Sequence, residues 1–313
     1  PFEIISPEDL KPEEIKSLFV KSYTELNTLK NKKHTIIYGS RGNGKSMLLR
    51  FLEPKCQILD SDLSTEKYLS SYNAFVGIYI PLKEGYFNKK DLLSIDKSIA
   101  HTLSKHLINL HVIGCLIEIF IKQLSDILSP EVEKKLTRRI VALLDKKHIH
   151  HNNKNNFASL KGILLVEAGF VSDYISLCRF PNYKENYNGN VSDYSTFIRP
   201  FFEEIGNIIR PLKDVSFYLL FDEGDRLHKF QMEYINTMIA NRDHRFLSIK
   251  LASKIGSYHY YTDSNTSIKE IHDYDTIVLD ELYTHSNYTY YNKVSEIANR
   301  RLEAHGFSVN IEN

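Results

Sequence analysis

Residues Gly39-Ser40-Arg41-Gly42-Asn43-Gly44-Lys45-Ser46 bring glycines, a lysine and a hydroxyl together at the spacing G-x-x-x-x-G-K-[ST]. A loop of this kind wraps its backbone N–H groups around phosphate oxygens. It needs glycine wherever a Cβ would block close approach or φ must be positive. Lys45 supplies a point charge to terminal phosphates, Ser46 offers a hydroxyl to Mg²⁺, and a helix opening there points its positive dipole end at the same anion. The loop with the following Met47 is therefore the expected nucleotide-binding segment. Arg41 within it is read as lying near phosphate or a partner.

The run Phe217-Tyr218-Leu219-Leu220-Phe221-Asp222-Glu223 is apolar until it ends in two carboxylates. A buried strand would carry Asp222 to a sheet edge, where it can hold Mg²⁺ through water, and Glu223 can polarise an attacking water. Two adjacent acids alone are a weak signal, and the phosphate loop gives them meaning. An Asp-Glu pair at a strand end is typical of ATP-hydrolysing branches, which favours ATP over GTP. Ser253, at the end of a further strand pattern, is placed to reach the γ-phosphate or the attacking water. Arg242 and Arg245, on the turn before that strand, and Arg300-Arg301 on the last helix are candidates to stabilise transition-state charge, within one subunit or from a neighbour. His148, His150 and His151 lie in an Asn/Lys-rich stretch without an acidic or Cys partner at metal-ligand spacing, so they read as solvated.

Elements must bring these residues together. Thr35 to Tyr38 reads as a buried strand before the loop, and a helix from Lys45 stops at Pro54. Val76 to Ile80, Val215 to Phe221, Phe246 to Ala252 and Thr276 to Leu279 are further strands, and Leu227 to Ala240 is a helix. Pro12 opens a first helix carrying Ile15, Leu18, Phe19, Leu26 and Leu29, and Asn287 onward is helical with Tyr291, Val294 and Leu302 on one side. Between the second and third strands the pattern turns helical: Leu92 to Leu107 and Leu116 to Leu128 form two stripes, Ser129-Pro130-Glu131 opens another helix, and His148 to Asn156 and Phe180 to Asp193 read as loops. The expected fold is α/β, a P-loop NTPase of AAA+ or STAND type with a mostly parallel sheet. Its expected parts are residues 1–90 as helix and first core segment, 91–214 as a large helical insertion, and 215–313 as the second core segment with a C-terminal helix.

Composition narrows the class. Forty Lys and Arg against 39 Asp and Glu leave a net charge of +1, so no overall field draws in nucleic acid, and any such binding needs a local patch. The strongest apolar run, Val112 to Ile121, is about ten residues against the roughly twenty needed to span a bilayer, and no membrane association is expected. Cys56, Cys115 and Cys178 are far apart, which fits a reducing cytoplasm rather than a disulfide framework. The first residues show no secretory pattern.

With these residues in place, the chain resembles the bacterial AAA+ ATPases of the origin-recognition-complex-like family. The likeness lies in Pro1-Phe2 with the following acidic helix, in Gly39 to Arg50, and in Leu220-Phe221-Asp222-Glu223-Gly224-Asp225. It continues in Ile235-Asn236-Thr237 and in His272-Asp273-Tyr274-Asp275 before Leu279-Asp280. The resemblance implies a nucleotide-driven switch or remodeler, often working as a homo-oligomer and in bacteria often set near mobile-element or phage-defence genes. With both half-sites intact and the insertion offering a partner surface, the expectation is an ATP- and Mg²⁺-dependent ATPase that regulates a protein effector. The alternatives are a DNA-loading ATPase, for which no winged-helix pattern follows Leu302, and an ATP-bound scaffold that never hydrolyses.

Overall fold

The computed structural model describes residues 6–311 apart from 22–24, 84–89, 148–154, 181, 184, 244, 281–286 and 308–310. In chain order the elements are α1 (Pro12–Leu18), α2 (Leu26–Lys30), β1 (Thr35–Tyr38), α3 (Lys45–Phe51), α4 (Pro54–Ser61), α5 (Thr65–Leu69) and β2 (Phe75–Pro81). Next come α6 (Lys97–Gln123), α7 (Pro130–Leu144), α8 (Phe157–Leu177), α9 (Arg199–Ile208), β3 (Ser216–Asp222), α10 (Lys229–Ala240), β4 (Leu247–Ser253), β5 (Asp275–Val278) and α11 (Asn287–Ala304). His148, His150, His151 and Pro1-Phe2 lie outside the described residues.

The five strands form one sheet in the order β2-β3-β4-β1-β5, and every adjacent pair is parallel. β1, β3 and β4 are buried along their whole length, as strands covered on both faces must be. The period-two alternation divides their side chains between two layers. Ile36, Val76, Ile78, Phe217, Leu219, Phe221 and Ile249 share one buried cluster with the helices α6 to α10. Ile37, Phe75, Tyr218, Leu220, Ala252 and Ile277 face the other way, onto α1 to α4. The result is a helix–sheet–helix sandwich of the P-loop NTPase kind, with all strand carboxyl ends at one edge.

Local sequence explains most element ends. Ser129 accepts the Val132 N–H at 3.3 Å with Pro130 in the first turn of α7, as expected. Asp96 accepts from the N–H groups of Ser98 and Ile99, at 2.8 and 3.2 Å, and starts α6 there. Two expectations change. The stripes read as separate helices fuse into the single α6, because nothing between Leu107 and Leu116 breaks the helix. The single N-terminal helix is two, because Phe19 is extended (φ −73°, ψ 128°) after α1. Pro54 does end α3, and it also serves as the first residue of α4.

Length and apolarity would let α6 cross a membrane, but 67% of its apolar window is buried inside the fold. It is the spine of the helical layer. A buried polar net ties that layer together: Ser192 Oγ meets His106 Nδ1 at 2.9 Å and accepts from Asn109 Nδ2 at 3.2 Å, and Asn109 Oδ1 accepts from Tyr234 of α10 at 2.7 Å. Asn190 donates to Asp145 and Glu167, at 3.1 and 2.9 Å. On α11 the side chains of Tyr291 and Val294 are 63% and 45% exposed, so that apolar side faces outward rather than into the core.

Candidate functional site

Three strand ends define the site. β1 ends at Tyr38 and runs into the loop, β3 ends at Asp222, and β4, which lies between them, ends at Ser253 in register with Tyr38. Two strand spacings separate β1 from β3, about 10 Å, enough for a phosphate group and its metal to sit between loop and acid. Lys45 lies within electrostatic reach of Asp222, Asp225, Asp280 and Glu223, so the segments near residues 40 and 222 do meet in the fold.

The loop has the backbone its sequence demands. Gly42 and Gly44 hold φ of +90° and +83°, which residues with a Cβ rarely adopt, and Gly44 caps the start of α3. A Cβ on Gly39 would stand 3.3 Å from Leu279 Cβ. The Lys45 ammonium folds back onto the Gly39 and Ser40 carbonyls, at 2.6 and 2.9 Å. Burial pulls its pKa down, and the four surrounding carboxylates oppose that shift. Asn43 closes a turn onto the Ser40 carbonyl at 3.4 Å, Ser46 sits half-buried in the first turn of α3, Met47 packs on the core behind the loop, and Arg41 is exposed.

Ser40 is anchored from across the sheet. Asp280, just beyond β5, accepts the Ser40 N–H on both carboxylate oxygens, at 3.1 and 2.9 Å, and the Ser40 hydroxyl at 2.9 Å.

Asp222 is 2% exposed, and both its oxygens are engaged. One accepts the Glu223 N–H at 2.8 Å, the other the Tyr79 hydroxyl at 2.8 Å from β2. A carboxylate oxygen carries two lone pairs, so each keeps one for water. Burial and Asp222 push the Tyr79 hydroxyl pKa up, which keeps it a donor. The Arg50 guanidinium lies 5.3 Å above the Tyr79 ring and donates to the Pro7, Glu8 and Leu10 carbonyls. Glu223 adopts a left-handed backbone (φ +61°) and pairs with Arg226 at 2.8 Å. Burial raises its carboxyl pKa, and the Arg226 guanidinium works against that rise. Gly224 lets this turn press on β4, since a Cβ there would meet Leu251 Cδ1 at 2.9 Å.

Ser253 is fully buried, with its hydroxyl 3.3 Å from that of Ser257. Arg242 and Arg245 are not part of this cluster. They precede β4 and so stand at the amino edge of the parallel sheet, opposite the loop, which corrects their expected role within one chain. Arg242 donates to Asp273 at 2.7 Å, and Arg245 is exposed. Arg300 on α11 reaches the Ser17 carbonyl at 3.4 Å.

The two side chains read as metal-holding, Ser46 and Asp222, offer oxygens only, a hydroxyl and a carboxylate. That set suits Mg²⁺, which uses one or two protein oxygens plus phosphate and water, and among the described residues no cluster of three His, Cys, Asp or Glu side chains offers a competing cage. Sequence reading missed Tyr79 and Arg226. Tyr79 lay inside an apolar strand pattern that gave its hydroxyl no address, whereas Arg226, three residues beyond Glu223, was legible as a partner once a tight turn followed the acids.

No curated protein and no solved structure matches the chain. A family model does match, over residues 1–313, and with the loop, the paired acids and the all-parallel sheet agreeing with it, the chain belongs to the ORC-CDC6-like family.

Proposed function

We propose that this AAA+-type nucleotide-binding protein hydrolyses ATP with Mg²⁺ and works as a nucleotide-driven switch, in a homo-oligomer, on a protein effector. The observation that carries the reading is Lys45 set among Asp222, Asp225, Asp280 and Glu223 at the mouth of a loop whose glycines hold the backbone N–H groups open. Those N–H groups bind phosphate, and Lys45 exchanges the Gly39 and Ser40 carbonyls for phosphate oxygens. Ser46 and Asp222 would hold Mg²⁺, which when bound neutralises charge on the phosphates. Glu223 orients the attacking water and takes its proton, and Ser253 lies between base and cradle on β4.

The switch is supported by contacts from the helical layer to β2, the neighbour of the acid strand, and to the end of the loop's helix α3. His111 of α6 meets the Pro81 carbonyl at 3.1 Å, and Pro81 pairs in register with Asp222. Gln123, the last residue of α6, donates to Glu53, which is ion-paired to Arg50. The defence setting rests on the family resemblance alone.

Phosphate release and nucleotide binding, measured side by side, test the reading. Glu223→Gln is expected to bind ATP like the parent and to release phosphate at least about 100-fold more slowly. Lys45→Ala is expected to lose nucleotide affinity. Unchanged turnover in Glu223→Gln removes the base, and parent protein that binds no adenine nucleotide removes the function.

A further inference from the structure

We infer that Asp280 is a positioning residue for the phosphate loop, holding its first turn in the shape that nucleotide requires; this rests on the nucleotide-binding reading above. An acid so close to a phosphate site is at first sight misplaced, because a carboxylate there repels the anion the loop is built to attract. Its contacts give the reason for it.

Ser40 stands at the opposite end of the loop from Lys45, where the chain leaves β1. Its N–H and hydroxyl both point to Asp280, with contacts at 3.1, 2.9 and 2.9 Å. One side chain therefore satisfies both hydrogen-bond donors of that residue. The neighbouring residue on each segment is fastened as well: the Leu279 N–H donates to the Tyr38 carbonyl at 2.8 Å, and Gly39 packs on Leu279. The end of β5 thus clamps the loop from outside the eight-position motif, at a sequence distance that no local pattern reveals.

The clamp also sets where Lys45 rests. Its ammonium bonds the carbonyls of Gly39 and Ser40, the two residues that Leu279 and Asp280 hold in place. If Ser40 were loose, those carbonyls would no longer be arranged, and the loop would have to be ordered by the incoming nucleotide. Ordering on binding costs affinity. The expectation is therefore a loss of affinity shared by ATP and ADP, because both place phosphates in the same loop.

Three substitutions in the full chain separate this role from others, with Kd for fluorescent ADP and ATP analogues, thermal midpoint and phosphate release as readouts. Asp280→Ala is expected to weaken both nucleotides about tenfold while leaving the thermal midpoint within a few degrees. Asp280→Asn, which keeps an acceptor for Ser40, is expected to restore most of that affinity. Ser40→Ala, which removes one of the three bonds, is expected to fall between parent and Asp280→Ala. Unchanged or tighter binding in Asp280→Ala would overturn the proposal, as would equal effects of Ala and Asn, which would mark a purely electrostatic role. A fall in thermal midpoint with affinity intact would mark a purely structural one and equally overturn it. Lys45→Ala, run in parallel, distinguishes the two levels: lost binding there with no change in Asp280→Ala rejects the clamp alone, whereas no binding by the parent rejects the site.

Discussion

Tyr79 and Asp222 stand on adjacent strands, and their 2.8 Å hydrogen bond joins residues 143 positions apart in the sequence. On the function proposed above Asp222 would hold Mg²⁺, and such a carboxylate works only when its free lone pairs face the metal's water shell; Tyr79 with the Glu223 N–H leaves one lone pair on each oxygen. Removing the hydroxyl frees Asp222 to turn. Tyr79→Phe is therefore expected to lower turnover about 10- to 100-fold and to raise the Mg²⁺ concentration needed for half-maximal rate, with metal-free ATP affinity unchanged. A Mg²⁺ titration of phosphate release checks this, and an unaltered titration midpoint would leave Tyr79 as core packing alone.

At the scale of elements, α3 and β2 are joined through a missing side chain. Gly77 lies where a Cβ would stand 2.2 Å from the Leu52 carbonyl oxygen at the end of α3, and 2.9 Å from Leu220 Cδ1. The helix that carries Lys45 and Ser46 can approach the sheet closely only because that position is glycine. Gly77→Ala is expected to destabilise the fold by about 2 kcal/mol, since backbone must move to admit the methyl. Gly162 in α8 has nothing within 4 Å of its added Cβ, and Gly162→Ala is expected to gain about 0.5–1 kcal/mol from helix propensity. Urea midpoints of the two variants should move in opposite directions. Equal shifts would break the distinction between a glycine needed for approach and one merely tolerated.

At the scale of the whole molecule, Lys250 is a cation in the layer where β1, β3 and β4 meet α1 to α4. It is fully buried, and its amine contacts the Asn31 carbonyl, the Lys33 carbonyl and Thr35 Oγ1 at 2.8, 2.6 and 3.1 Å, with the Tyr218 ring 4.9 Å away. Burial pulls its pKa down to about 7 from an ordinary 10.5, with Asp275 opposing. Between those values the unfolded chain keeps a proton that the folded chain releases, so this group adds stability as pH rises from 7 towards 10 and loses it on the way down. The stability gap between parent and Lys250→Met should then move in the parent's favour with rising pH, by at most about 1.4 kcal/mol per unit. Denaturation at pH 7, 8 and 9 measures it, and a gap that does not change with pH would contradict the shift.

The loop geometry was legible from sequence because Gly42 and Gly44 are set by the local backbone, and so was the placing of Asp222 and Glu223 at the end of a buried strand. Strand identity was legible too, since a short continuous apolar run, the mark of a strand buried on both faces, is written in adjacent residues. Strand order was not, and with it went the clamp of Asp280, the bond from Tyr79, the placing of Ser253 between loop and acid, and the position of Arg242 and Arg245 at the far edge. Those depend on which chain segments become neighbours when both faces of the sheet are covered. Alternating strands and helices announce a parallel sheet, but which strands become neighbours is decided by packing between residues far apart in the chain, and no local pattern encodes it.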